Sequence, residues 1–190
     1  METFSTFQYP SPDGRYVLSE MPYQLYDRET GERWTVVAED EQASFLRWSP
    51  DGRLMLFNLT YELEESGVSD LKVLLVVDAE TRARWVVTPE DKVALHAAWS
   101  PDGQTIAYLQ CDPPTTGCGN PELWLTSPDG TSRHRIPMEP IHCSRIAWTP
   151  DGTHLVLETN REPAIWSVRV DGSDLHPIAD GQNPQVLPSP

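Results

Sequence analysis

Four copies of Ser-Pro-Asp-Gly or Thr-Pro-Asp-Gly divide the chain, at Ser11 to Gly14, Ser49 to Gly52, Ser100 to Gly103 and Thr149 to Gly152. In a type I turn Pro presets φ at the second position, Asp tolerates the bridge region at the third, and Gly supplies the left-handed residue that follows. This is the chemistry of a short hairpin closed by a Gly bulge. Pro12, Asp13, Gly14, Pro50, Asp51, Gly52, Pro101, Asp102, Gly103, Pro150, Asp151 and Gly152 are therefore read as structural turn residues. An apolar run of strand type follows each copy: Tyr16 to Leu18, Leu54 to Phe57, Thr105 to Tyr108 and Leu155 to Leu157.

The turn prolines lie 38, 51 and 49 residues apart, a period that belongs to propellers or solenoids. Each unit also holds a third run, at Tyr23 to Asp27, Val73 to Asp78, Glu122 to Thr126 or Ile165 to Asp171, then a turn carrying Gly31, Thr81, Gly130 or Gly172. A fourth run follows at Arg33 to Val37, Arg84 to Thr88, Arg133 to Pro137 and Leu175 to Ala179. Four short strands joined by hairpins make one blade, so the expected fold is all-β, a β-propeller of four four-stranded antiparallel blades. The chain reads as one domain, 1–190, with blades at 4–39, 40–91, 92–139 and 140–181 and the start of an incomplete further blade at 182–190. A surplus strand at the tail leaves two alternatives, an open arc of four blades or half of a larger ring. Ser127 to Gly130 repeats the turn motif but follows a third strand, so it opens no fifth unit. Trp48, Trp99 and Trp148, each two residues before the turn Pro, are expected to fill the space between sheets. The first unit has Pro10 there, which suits a terminal blade because Pro withholds a ladder donor.

Trp-Ser-Pro-Asp-Gly, an apolar strand, and then a strand ending in Asp before a Thr-Gly or Asp-Gly turn resemble the TolB-like, or WD40-like (PD40), β-propeller repeats. The resemblance runs over residues 4–190. It implies a propeller fold and either of two uses: a docking platform for other proteins, or the gating domain of tricorn-type and prolyl-oligopeptidase-type peptidases. It carries no catalytic residue over, because the matching positions are the structural turns and tryptophans.

A net charge of −15, with 14 basic residues dispersed among 29 acidic ones, opposes binding to a phosphate backbone or an anionic lipid surface. Nucleic acid and membrane insertion are thus excluded as expectations, and the longest apolar run, Val73 to Val77, is far short of a span. Met1 to Ser11 lacks both the basic start and the apolar core of an export signal. A complete chain would accordingly be cytoplasmic, whereas a mature or truncated form would be extracytoplasmic.

Candidate functional positions are few. Phe45, His96 and Arg145 each stand three residues before a repeat Trp, where a side chain facing a central channel would line it. The long connections between second and third strands offer interaction loops: Tyr61, Glu62, Glu64, Glu65 and Asp70 in the second blade, Asp112, Thr115 and Asn120 in the third. Cys111 and Cys118 flank the latter loop and are either a disulfide pair or two free thiols, while Cys143 reads as a small core residue. The Cys and His spacings fit no zinc pattern, no Gly-x-Ser-x-Gly elbow occurs, and every Gly belongs to a turn. No catalytic residue, cofactor or metal is expected, and no enzymatic role. The leading expectation is a non-enzymatic scaffold that binds another protein. The alternatives are the propeller portion of a peptidase lacking its catalytic domain, and a half-ring that homodimerises into an eight-bladed propeller.

Overall fold

The structure, a computed structural model, describes residues 7–20, 22–61, 71–113, 121–138, 143–159 and 162–179. Among these residues there are sixteen strands and no helix. The first sheet holds β1 (Gln8–Pro10), β2 (Tyr16–Ser19), β3 (Gln24–Asp27) and β4 (Arg33–Thr35). The second holds β5 (Gln42–Trp48), β6 (Leu54–Tyr61), β7 (Leu71–Asp78) and β8 (Arg84–Val86). The third is built from β9 (Val93–Trp99), β10 (Ile106–Cys111), β11 (Glu122–Thr126) and β12 (Arg133–Arg135). The fourth comprises β13 (Cys143–Trp148), β14 (His154–Thr159), β15 (Ile165–Arg169) and β16 (His176–Ala179). Each sheet is an antiparallel meander in chain order; among the described residues apolar cores join the first sheet to the second, the second to the third and the third to the fourth, with none between first and fourth, so the four blades form an open arrangement. The tail at 182–190 lies outside the described residues.

Period two along the central strands explains how one sheet serves two neighbours. In β6, Met55 and Phe57 pack into the core shared with the first sheet, while Leu56 packs into the core shared with the third. In β10, Ile106 and Tyr108 face back toward the second sheet, and Ala107 and Leu109 face forward to the fourth. Both faces of a middle blade are thus covered, which is why β7 reads as a near-continuous apolar run, Leu71 to Val77. Fully burying a Leu or Phe contributes about 1.5–3 kcal/mol, so these three inter-sheet cores dominate stability over any surface ion pair.

The turns take the expected form with one addition. Gly14, Gly52, Gly103 and Gly152 all have positive φ, between 68° and 77°. The residue opening each turn is a hub that the local turn rules did not supply. Ser11 Oγ accepts the Tyr16 amide at 2.9 Å and donates to Asp13, whose carboxylate accepts the Arg15 amide at 3.1 Å. Ser49, Ser100 and Thr149 repeat the arrangement on the amides of Leu54, Thr105 and His154. The Thr149 hydroxyl, followed by the Thr153 amide, holds the Asp151 carboxyl down at about 2. Each turn also seats on the one before it: a Cβ on Gly52 would meet Asp13 Oδ1 at 3.1 Å, and one on Gly103 would meet Pro50 at 3.4 Å. In the second turn of blade two the left-handed residue is Arg82 (φ 63°) rather than Thr81. Ser127 to Gly130 joins β11 to β12, with the same Ser-to-Asp hydroxyl bond.

Candidate functional site

The innermost strands β1, β5, β9 and β13 wall one cavity of about 1080 Å³. Phe45, His96 and Arg145 all lie on its wall. So does Arg47, two residues beyond Phe45 on the same strand. Prolines 12, 50 and 101 line it as well, so it opens at the end of the sheets where the repeat turns lie.

Each of the three later innermost strands is bulged at this level. Leu46 is extra between the pairs Phe45 with Phe57 and Arg47 with Leu56. His96 and Ala97 together oppose Tyr108, and Ser144 is extra between Cys143 and Arg145. A bulge adds twist and re-aims side chains, and bulges concentrate beside functional sites. At His96 the backbone is left-handed, φ 51°, a conformation that costs a non-glycine residue on the order of 1 kcal/mol.

The wall is aromatic near β1 and β5. Tyr9 and Phe45 meet at a tilt of 44° with ring centroids 4.8 Å apart, and Phe45 meets Trp48 and Phe57 edge-on. The Phe45 amide donates to the Tyr23 hydroxyl at 3.0 Å, which fixes the strand. Two guanidinium groups also lie on the wall, Arg47 on β5 and Arg145 on β13. Arg145 lies 3.7 Å from the Glu158 carboxylate, while Arg47 is exposed and makes no ion pair among the described residues. Burial lowers the His96 imidazole below its ordinary value, and the nearby charges of Arg145 and Lys72 push it the same way, so it is neutral at pH 7. Among the described residues no carboxylate lines the cavity.

Of the other sequence candidates, Tyr61 ends β6, 41% exposed, and Asp112 forms an ion pair with Lys92. Both lie at the end of their sheets opposite the repeat turns, because β6 and β10 run away from those turns. Phe45, His96 and Arg145 instead stand within their strands on the cavity wall. Glu62, Glu64, Glu65, Asp70, Thr115 and Asn120 lie outside the described residues. Cys111 is disulfide-bonded, and Cys118 lies outside the described residues. Cys143 is a free, buried thiol that burial pushes up to about 12, so it carries no thiolate near neutrality. Among the described residues no group of three His, Cys, Asp or Glu side chains is arranged to hold a metal ion.

The profile of the family described as the dipeptidyl peptidase IV (DPP IV) N-terminal region matches residues 11–117, more than half of the sequence. The chain belongs to that family. The wider likeness of this DPP IV N-terminal chain is to propeller structures of low identity, which speak to its fold. It superposes on Porphyromonas gingivalis dipeptidyl peptidase 4 with a TM-score of 0.69 and 12% identity, over 92% of this chain and 32% of that one. For a TolB-like protein of Agrobacterium tumefaciens the TM-score is 0.62 at 17% identity, covering 89% of this chain and 62% of the other. TolB from Acinetobacter baumannii gives 0.56 at 16% identity, over 90% and 40%. The chain thus spans less than two thirds of the length of each. No curated protein matches it in sequence.

Proposed function

We propose that this chain is a non-catalytic peptide-binding module of the dipeptidyl-peptidase kind, holding peptide in the channel between its innermost strands for a hydrolytic domain. The observation that carries this reading is the channel itself. Within a family described by a peptidase, four strands converge on a cavity large enough for several residues of extended chain, walled by aromatic rings with two guanidinium groups among them. Trp48, Trp99 and Trp148 line the same space, so their emission reports occupancy. Short amidated peptides titrated into the purified chain should shift that emission, while a dipeptidyl p-nitroanilide should stay intact. Release of p-nitroaniline by the chain, or an emission indifferent to every peptide, would overturn the proposal.

A second reading is favoured by the open arrangement, in which no apolar core joins the first and fourth sheets among the described residues. Two such arcs joined about a twofold axis would make an eight-bladed ring with no open side. Light scattering on the full chain distinguishes the two, since a ring of two copies has twice the mass of a 21.4 kDa monomer.

A further inference from the structure

We propose that the channel selects peptides bearing carboxylates, with Arg47 and Arg145 as the groups that meet them. This rests on the peptide-binding reading and names the class of peptide. The chain as a whole carries −15, yet among the described residues the cavity wall holds two arginines, a neutral histidine and no acidic residue. That sorting is particular to the channel. The smaller cavity between the third and fourth sheets, about 520 Å³, is lined by Asp102 and Asp151 instead.

The two arginines differ in a useful way. Glu158, on the adjacent strand β14, stands 3.7 Å from Arg145 and orients its guanidinium while offsetting part of its charge. Arg47 has no carboxylate partner among the described residues, so its charge is the larger unmet one on the wall. A guanidinium presents a planar fork of N–H donors that accepts a carboxylate in bidentate fashion. His96 adds an imidazole N–H without adding charge, on a backbone whose left-handed bulge belongs to the cavity level of its strand. Attraction of this kind acts over about 8 Å at physiological salt, so the distant acidic surface does not cancel it.

The test uses four hexapeptides of one length and aromatic content, read by tryptophan emission: Glu-rich, Gln-rich and Lys-rich peptides, all amidated, and the Gln-rich peptide with a free C-terminal carboxylate. At least one carboxylate-bearing peptide should bind fivefold or more tighter than the amidated Gln-rich one, with the Lys-rich peptide weakest. A tighter Glu-rich peptide assigns the site to acidic side chains, and a tighter free-carboxylate peptide assigns it to a chain terminus. Arg47→Gln, at an exposed side chain and with an unchanged melting temperature, should cut the preference at least threefold. If the amidated Gln-rich peptide binds within fivefold of both carboxylate peptides, or Arg47→Gln leaves the preference intact, the inference is wrong and the peptide-binding reading stands. If no peptide of any charge binds, the peptide-binding reading itself falls.

Discussion

Trp48 and Trp148 each reach back across a junction between sheets and donate Nε1–H to a backbone carbonyl of the preceding blade, Tyr9 at 3.1 Å and Ala98 at 3.0 Å. Trp99, their repeat counterpart at the middle junction, buries Nε1 without any hydrogen-bond partner, the one such side-chain atom among the described residues. The middle junction is held by other means. Leu56, Leu74, Val76, Ile106 and Tyr108 interlock there, all essentially inaccessible to solvent. Asn58 Nδ2 donates to the Ala94 carbonyl at 3.1 Å, and Trp85 Nε1 to the Pro128 carbonyl at 2.8 Å. The same residue type at the same repeat position is a hydrogen-bonded strap twice and an apolar filler once. A repeated sequence therefore specifies where an indole sits, and the strand it meets decides whether its polar end is used.

The hardest test of the junctions avoids the indoles. A Cβ on Gly172 would lie 2.5 Å from the Pro137 carbonyl of the preceding blade, on a backbone at φ 85°, whereas one on Gly31 meets nothing within 4 Å. Gly172→Ala should cost roughly 3 kcal/mol in urea unfolding and Gly31→Ala about 1, since both carry left-handed strain but only the first must displace backbone. Equal costs would mean that the third and fourth blades are not docked as described.

The indole comparison comes next in size. Trp148→Phe removes the indole donor to the buried Ala98 carbonyl and should lose about 2 kcal/mol, while Trp99→Phe removes a donor that has no acceptor and should lose about 1 kcal/mol or less. Matching losses measured by denaturant midpoint would erase the distinction between the junctions.

The smallest effect concerns pH within a blade. The side-chain hydrogen bond from Arg15 holds the Asp27 carboxyl at about 2, so the contribution of this pair is complete above about 4, the unfolded value, and is lost as pH falls toward 2. Asp27→Asn should flatten the acid side of the melting-temperature profile and leave the difference between Trp99→Phe and Trp148→Phe unchanged. A variant profile as steep as the parent's would remove Asp27 from the acid response.

Local chemistry made the architecture legible. A Ser-Pro-Asp-Gly turn needs nothing beyond its own residues and the two or three that follow, so four four-stranded antiparallel sheets could be read before any contact was known. The decoy at Ser127 was separable by phase alone. Counting back three residues from each Trp led to Phe45, His96 and Arg145, which share one cavity wall. Arg47 was missed because simple alternation does not mark it: the bulge at Leu46 resets the register between Phe45 and Arg47, and attention stayed on a single repeat position. The bulges, the left-handed backbone of His96 and Arg82, and the unpartnered Trp99 leave no mark in local sequence. They arise where one blade is fitted against another, and only the packed neighbours impose them.

The seating of each Gly on the preceding Pro has an evolutionary reading. The contact always points back one unit, from Gly52 to Pro12, from Gly103 to Pro50 and from Gly152 to Pro101. The two middle units therefore carry both the plug for a predecessor and the socket for a successor. Duplicating a stretch of gene that encodes one such unit inserts a blade with both joints already matched, so such chains can lengthen or shorten by whole blades without any new contact having to be selected.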